Sequence, residues 1–164
     1  MKYDQIISGF THRPATTEDY QEIARFPQDA RELFFMYPKG TFPLTAEQLE
    51  EAASTRFKPT VVEHNGQVVG YCNFITVTED SCSLGNFIIH PAYRGKGAGR
   101  SLIEAMQECA RSELKLKKFQ LICHNTNTGA LMFYAKLGFT PYGFNFQTDP
   151  EGTPIVGIKL EVLL

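Results

Sequence analysis

A chain of 164 residues is long enough to form one domain with a full hydrophobic core. Its net charge of −2 gives no overall attraction to nucleic acid, and its 43 % hydrophobic residues are ordinary for a globular protein. No apolar run approaches the ~20 residues that a membrane span needs, and the first residues lack the layout of a signal peptide. We therefore expect a single domain over residues 1–164, with neither nucleic acid nor a membrane as a partner.

The first half of the chain predicts one strand, two helices and three further strands. Residues 9–15 are the first expected strand, and Thr16 begins a helix whose first turn is acidic. Residues 45–48 resemble a capping box, which predicts the start of a second helix. Asn65-Gly66 predicts a tight turn between two strands, and a third strand of this run covers 82–89.

A turn with three alternating glycines, Gly95, Gly97 and Gly99, comes next and leads into a helix predicted from residue 99 to about 115. Glycine lets the backbone approach a ligand closely. The first N–H groups of a helix lack intrahelical acceptors and carry partial positive charge. This turn therefore predicts a site for a phosphate or pyrophosphate. Three cations surround it: Arg94, Lys96 and Arg100.

The spacing of these residues excludes two common nucleotide-binding motifs. A P-loop needs Gly-Lys followed by Ser or Thr, but Gly97 follows Lys96. The dinucleotide fingerprint needs glycine at the sixth position from Gly95, where Arg100 stands. The remaining pattern is Arg-x-x-Gly-x-Gly from Arg94 to Gly99. It resembles the acyl-CoA signature of the GNAT N-acetyltransferase superfamily.

A second segment also resembles that superfamily. A strand at 119–124 precedes a helix at 127–137, in which Asn127, Ala130, Phe133 and Tyr134 have the spacing of the later GNAT motif. Asn127 is a good N-cap residue, and a glycine follows the helix where a C-terminal glycine belongs. Two strands around 142–146 and 154–163 end the chain. The resulting order, β-α-α-β-β-β-α-β-α-β-β, is similar to the GNAT fold over essentially the whole chain.

This resemblance implies a mixed α/β (α+β) fold, with a central, mixed, largely antiparallel sheet and helices on both faces. It also implies acetyl-CoA as co-substrate, bound in a cleft between the strand before the glycine turn and the strand before Asn127, and no metal. The implied acetyl-CoA residues lie on the first of these strands, on the glycine turn and at the start of the later helix. They are Phe87, Ile88, Ile89, Arg94, Gly95, Lys96, Gly97, Ala98, Gly99, Arg100 and Asn127.

The resemblance further implies that Tyr134 is the general acid for the departing CoA thiolate. A phenol with pKa ~10 can share a proton with a thiol of pKa ~8.5. The general base is open, because the positions where some members carry a carboxylate hold Ile122 and Asn86 here. His124, at a strand end, is one candidate base. The other is a water relay to His124, Asn86 or backbone carbonyls.

The expected activity is acetyl transfer to a primary amine of a small molecule. Aromatic residues from the early helices and the last strands would make its acceptor pocket partly apolar: Phe34, Phe35, Tyr37, Phe42, Tyr142, Phe144 and Phe146. Transfer of another acyl group, acetylation of a protein N-terminus or lysine, and a CoA-binding sensor without catalysis remain alternatives. Four scattered cysteines without metal spacing favour the reducing cytoplasm, and a homodimer is possible within such families.

Overall fold

The computed structural model describes residues 6–164, in which it has seven β-strands and five α-helices. The strands are β1 (Phe10–Pro14), β2 (Phe57–His64), β3 (Gln67–Val77), β4 (Ser81–Ile89), β5 (Lys118–His124), β6 (Thr140–Thr148) and β7 (Pro154–Leu163). The helices are α1 (Asp19–Ile23), α2 (Ala30–Met36), α3 (Ala46–Ala53), α4 (Ala98–Glu108) and α5 (Thr128–Lys136). No helix of this described part is long and apolar enough to cross a membrane.

All seven strands form one sheet in the order β1-β2-β3-β4-β5-β7-β6. β4 and β5 are parallel, and the other neighbouring strands are antiparallel. Alternating strand residues feed two cores: Val61 packs with α1, α2 and α3, whereas Val62 packs with α4 and α5. The expected fold class, a mixed and largely antiparallel sheet with helices on both faces, is therefore confirmed.

The predicted strands match the observed ones closely. Asn65 and Gly66 both have positive φ, 51° and 77°, as a two-residue hairpin turn of type I′ requires. The helix expected at 99–115 is shorter, because α4 ends at Glu108 and a π-helical turn continues to Glu113.

Three short helices, rather than the expected two, separate β1 from β2. The additional helix is α2, which begins where the Asp29 carboxylate accepts the N–H of Glu32 at 2.8 Å. It ends at Met36, two residues before Pro38. Its seven residues make only two turns, which is too short a stretch for helical periodicity to stand out.

β4 and β5 pair only at their beginnings and then separate. Ser81–Ser83 lie opposite Lys118–Gln120, whereas β5 pairs with β7 as far as His124. The register of β3 and β4 also shifts near Asn86, which has a φ of 50°. Its side-chain amide donates to the carbonyl of Met36 at 3.2 Å. The second half of β4 thus borders a gap in the sheet, over which the end of α2 is held.

Candidate active site

A cavity of about 1050 Å³ opens in the gap between β4 and β5. The second half of β4, the glycine turn, α2 and α5 all contribute to its wall. All predicted site residues except Lys96 and Ala98 line it: Phe87, Ile88, Ile89, Arg94, Gly95, Gly97, Gly99, Arg100, His124, Asn127 and Tyr134. The structure therefore brings both sequence motifs to one cavity.

The glycine turn presents backbone N–H groups to one end of this cavity. Gly95 and Gly97 have φ values of 74° and 102°, which favour glycine. The first backbone bond of α4 runs from the N–H of Ser101 to the carbonyl of Gly97 at 3.0 Å. The N–H groups at 98–100 thus have no acceptor within the helix. Gly99 and Arg100 line the cavity, and with the helix dipole their N–H groups form a site suited to a phosphate anion.

Lys96 and Ala98 contribute differently from the prediction. The Lys96 ammonium lies 5.9 Å from the ring centroid of Tyr93, and the backbone carbonyl of Lys96 accepts the N–H of Ile7 at 3.0 Å. Because the aromatic ring attracts the ammonium, the Lys96 side chain packs on Tyr93 and lies outside the cavity lining. Ala98 is fully buried and outside the cavity lining, so it supports the turn by packing in the core.

Arg94 is held by protein groups rather than standing free beside the anion site. Its Nη1 and Nη2 atoms lie 2.8 and 3.0 Å from the two carboxylate oxygens of Glu32, and its Nε donates to the carbonyl of Ile89 at 3.0 Å. The guanidinium keeps the pKa of Glu32 below its ordinary value. Arg94 therefore ties the glycine turn to α2. The sequence analysis missed Glu32, because no local pattern reveals a partner 62 residues away.

Tyr134 lies on the α4 and α5 side of the sheet, surrounded by aromatic rings. The ring centroids of Phe133, Phe139 and Phe87 lie 5.2, 5.6 and 6.2 Å from its own. Burial raises the pKa of its phenol above the ordinary value. The side chain is therefore protonated at neutral pH, and it borders the cavity.

Asn127 begins α5 without capping it through its side chain. Its φ of −92° and ψ of 66° differ from the extended backbone of most N-cap residues, so the predicted side-chain cap is wrong. The residue lines the cavity. At the other end of α5, Gly138 has a φ of 86° and ends the helix as predicted.

His124 ends β5 on the opposite face of the sheet, below α2. Its ring stacks on Phe34 with centroids 4.7 Å apart, and its Nε2 lies 2.9 Å from Oε1 of Gln147. With the amide oxygen of Gln147 as acceptor, Nε2 carries the proton in this pair, which leaves Nδ1 as an acceptor when the ring is neutral. Gln147 is a second residue that the sequence analysis missed, because its role depends on the pairing of distant strands.

The predicted aromatic acceptor pocket is correct only in part. Phe35 and Tyr37 line the cavity, whereas Phe34 packs on His124. The remaining four are largely exposed and outside the lining, because they lie in a loop or on the outer face of edge strand β6: Phe42, Tyr142, Phe144 and Phe146. Within residues 6–164 no group of His, Cys, Asp or Glu is arranged to hold a metal ion.

Comparisons with known proteins agree with this geometry. A spermidine N-acetyltransferase from Vibrio cholerae, solved in complex with CoA and spermine, has a TM-score of 0.77 and 21 % identity, over 94 % of this chain and 95 % of that one. At this identity the similarity concerns the fold.

Two proteins of Bacillus subtilis are related in sequence. A putative [ribosomal protein bS18]-alanine N-acetyltransferase is 32 % identical over 91 residues, which cover 54 % of this chain and 59 % of the relative. The chain thus spans less than two thirds of that relative. A spermine/spermidine N(1)-acetyltransferase is 28 % identical over 116 residues, covering 66 % of this chain and 74 % of the relative.

A family model describes the shared core directly. The model of the acetyltransferase (GNAT) family matches residues 17–139, which include both the glycine turn and the Asn127–Tyr134 segment. The matched residues make up most of the chain and contain nearly all of the cavity wall described above. The chain belongs to the acetyltransferase (GNAT) family.

Proposed function

We propose that this protein transfers an acetyl group from acetyl-CoA to a primary amine of a small molecule. The observation that carries the proposal is the gap between β4 and β5, which joins the helix-start residues Gly99 and Arg100 to Tyr134. Acetyl-CoA would supply the reactive thioester. Relatives that act on spermine or on a ribosomal protein support N-acetylation as the reaction.

The chain's own groups suit the binding of such a donor. The backbone N–H groups of Gly99 and Arg100 would hold the pyrophosphate, with the Arg100 side chain at the cavity wall. The backbone of Phe87, Ile88 and Ile89 borders the gap, so it would bind the amides of the pantetheine arm and the thioester carbonyl. Backbone donors aimed at developing negative charge are an effective means of lowering such a barrier. Asn127 would bind a cofactor amide or a water molecule.

Two side chains would move protons, one on each face of the sheet. Tyr134 keeps its proton at neutral pH, because burial raises its pKa, and would donate it to the departing thiolate. Nδ1 of His124 would accept a proton from the amine, directly or through water, because Nε2 is engaged with Gln147. A water relay to Asn86 or to backbone carbonyls is the alternative path.

A protein N-terminus is the second candidate acceptor, and the relative that is a putative ribosomal-protein alanine acetyltransferase favours it. We also propose that residues 1–164 form one acetyltransferase domain that works in the cytoplasm, where free thiols such as buried Cys72, Cys82 and Cys123 persist. The expected homodimer stays a proposal, which light scattering can test.

Calorimetry with acetyl-CoA, followed by a thiol-release assay with amines, amino acids, polyamines and peptides, tests the proposal. We expect Gly97→Val to weaken acetyl-CoA binding by about tenfold or more, because a β-branched residue at positive φ costs on the order of 1–3 kcal/mol unless the turn moves. The matched control is Gly152→Val, since Gly152 also has positive φ (84°) but lies outside the cavity lining. No binding to the native protein would refute the whole proposal. Binding without thiol release from any amine would favour a sensor.

A further inference from the structure

Cationic side chains lie at both ends of the cavity. The pyrophosphate of acetyl-CoA would bind only at the end formed by the glycine turn. Among the described residues, five cations line it: Lys39, Arg56, Arg94, Arg100 and Lys136. Glu32 is the one carboxylate among these lining residues, and it is already bound by both Nη atoms of Arg94. We infer that the acceptor is an amino carboxylate with an apolar body, such as an amino acid, whose carboxylate binds Arg56 and Lys39. The inference deepens the proposed function and rests on it.

The strand register places Arg56 at the end of the cavity away from the glycine turn. Arg56 directly precedes β2, whose first residue, Phe57, pairs with Phe74 on β3. Phe74 in turn pairs with Leu84, near the beginning of β4, whereas the glycine turn follows the end of β4. A pyrophosphate bound at the glycine turn would therefore not provide an anionic partner for Arg56.

Lys39 belongs to the same end of the cavity. It follows Met36 by three residues, and the carbonyl of Met36 is held by Asn86 in the first part of the β4 gap. Within residues 6–164, neither the Lys39 ammonium nor the Arg56 guanidinium forms an ion pair. This end of the cavity thus carries two positive charges without a counter-charge from the described protein.

Arg56 also has an unsatisfied hydrogen-bond donor. Its Nε is buried and has no acceptor among the described residues. A buried donor without a partner is unfavourable, and most such groups in proteins are paired with protein, water or ligand. A guanidinium presents parallel N–H groups that match the two oxygens of a carboxylate. An acceptor carboxylate would supply the counter-charge that this guanidinium lacks.

The remaining wall at this end determines the body of the acceptor. Apolar side chains line the cavity between this end and the glycine turn: Ile75 is 40 % exposed beside Gly85, and the Phe35 ring lies 6.0 Å from that of His124. These side chains favour an uncharged, apolar group between the amine and the carboxylate. A polyamine fits poorly, because its additional ammonium groups would lie near Lys39 and Arg56 with no free carboxylate among the described lining residues.

Matched acceptors test the inference in the native enzyme with acetyl-CoA. The thiol-release assay compares leucine and phenylalanine with their carboxamides and with the amines that lack the carboxyl group, and spermidine is included. Loss of the carboxylate should lower kcat/KM by about 10- to 100-fold, the usual range for a hydrogen-bonded charged group. Equal or higher kcat/KM for the carboxamides, the simple amines or spermidine would overturn the inference while leaving acetyl transfer intact.

Variants of Arg56 provide a second test. Arg56→Gln should raise KM for the amino acid by about 10- to 100-fold but leave carboxamide turnover and acetyl-CoA binding unchanged. Arg56→Lys should restore part of the loss, and Arg25→Gln, at an exposed arginine outside the cavity lining, is the control. Calorimetry of the CoA-loaded protein with the same amino acids gives a readout without turnover. If no amino carboxylate binds at millimolar concentration, or if Arg56→Gln lowers carboxamide turnover equally, the inference is wrong. Failure of acetyl-CoA itself to bind would instead refute the proposed function.

Discussion

Tyr134 combines two properties that rarely occur in one side chain, because its ring is a core residue and its edge borders a large cavity. Its aromatic neighbours exclude water from the phenol and make the phenolate unfavourable, which raises the pKa. A group that holds its proton so firmly cannot act as a base near neutral pH. Its O–H can, however, donate a hydrogen bond to a newly formed thiolate held beside it, and the proton moves across as the same dry surroundings raise the pKa of the thiol.

Replacing Tyr134 by Phe should therefore remove proton donation while preserving the packing. We expect kcat to fall by about 100-fold, as for loss of a general acid, with acetyl-CoA affinity within about twofold of the native value. Steady-state kinetics and calorimetry measure the two quantities. Tyr142→Phe is the control, because Tyr142 is 46 % exposed and outside the cavity lining. An unchanged kcat in Tyr134→Phe would exclude the proposed role.

The presence of a residue at the site was predictable where it belongs to a local sequence motif. The direction in which its side chain points was less predictable. The resemblance of two motifs to the GNAT family identified Tyr134 and Gly97, because each motif is a local pattern in the sequence. The direction of the Lys96 side chain depends on Tyr93, and the state of His124 depends on Gln147 and Phe34. Such contacts join residues from separate elements, so no single stretch of sequence contains the information.

At the scale of elements, strands were easier to predict than the short helices. Short apolar runs on both sides of the Asn65-Gly66 turn specify β2 and β3 locally, and the two-residue turn sets the register between them. Helix α2 has seven residues and depends on its Asp29 cap and on contacts with the sheet. Isolated helices of that length are unstable, so tertiary packing decides whether they form.

The ion pair of Glu32 with Arg94 joins α2 to the glycine turn. Replacing Glu32 by Gln should weaken the attachment of α2. We expect a loss of about 1 kcal/mol in the free energy of unfolding at pH 7, since the pair is bidentate but partly exposed. Arg94 lowers the pKa of the folded carboxyl, so its contribution is present above the ordinary value of 4.5 and is lost progressively as the pH falls below it. Urea unfolding at pH 7 and at pH 3 measures both effects.

Glu22→Gln is the control for that comparison, because Glu22 meets Arg25 at 3.5 Å in an exposed pair of adjacent helical turns. Glu22→Gln should lower the free energy of unfolding by no more than about 0.5 kcal/mol. A Glu32→Gln variant as stable as this control at pH 7, or an equal loss at pH 3, would show that the pair does not stabilise the attachment of α2.

For the molecule as a whole, buried thiols should limit stability in alkaline solution. Burial raises the pKa of Cys82 to about 12 and that of Cys123 to about 11, from an ordinary value of 9.0. Above pH 9 the unfolded chain loses these protons while the folded protein retains them. The free energy of unfolding should therefore fall by about 1.4 kcal/mol per pH unit for each thiol until its folded pKa is reached.

Denaturant unfolding under reducing conditions between pH 8 and 11 measures this slope. Cys82→Ala should reduce the slope of unfolding free energy against pH by about 1.4 kcal/mol per pH unit, the contribution of one thiol. This change in slope does not depend on the stability of the variant at pH 8. The same change at Cys109, which is only partly buried, serves as the comparison. A slope that stays the same without Cys82 would contradict the assignment of that proton to Cys82.

The gap in the sheet was predictable only through the resemblance of two motifs to a known family. Nothing within 82–89 or 118–124 alone indicates that β4 and β5 separate after three paired residues, because both segments have the composition of ordinary buried strands. The resemblance predicted a cleft between these strands, and the structure has it. The acceptor end, with Arg56 and Lys39, belongs to no motif and became visible only when the strand register was known.

The short β4 and β5 pairing also affects how the protein avoids aggregation. A strand with unpaired backbone groups normally invites pairing with another chain. Here the open part of β4 lies in the middle of the sheet, with β3 on its other side and the end of α2 above it. A second protein would have to enter edge-on between two strands of the same sheet to reach those groups. The unpaired backbone groups of β4 therefore stay accessible to an extended small ligand but not to a strand of a second copy of the protein.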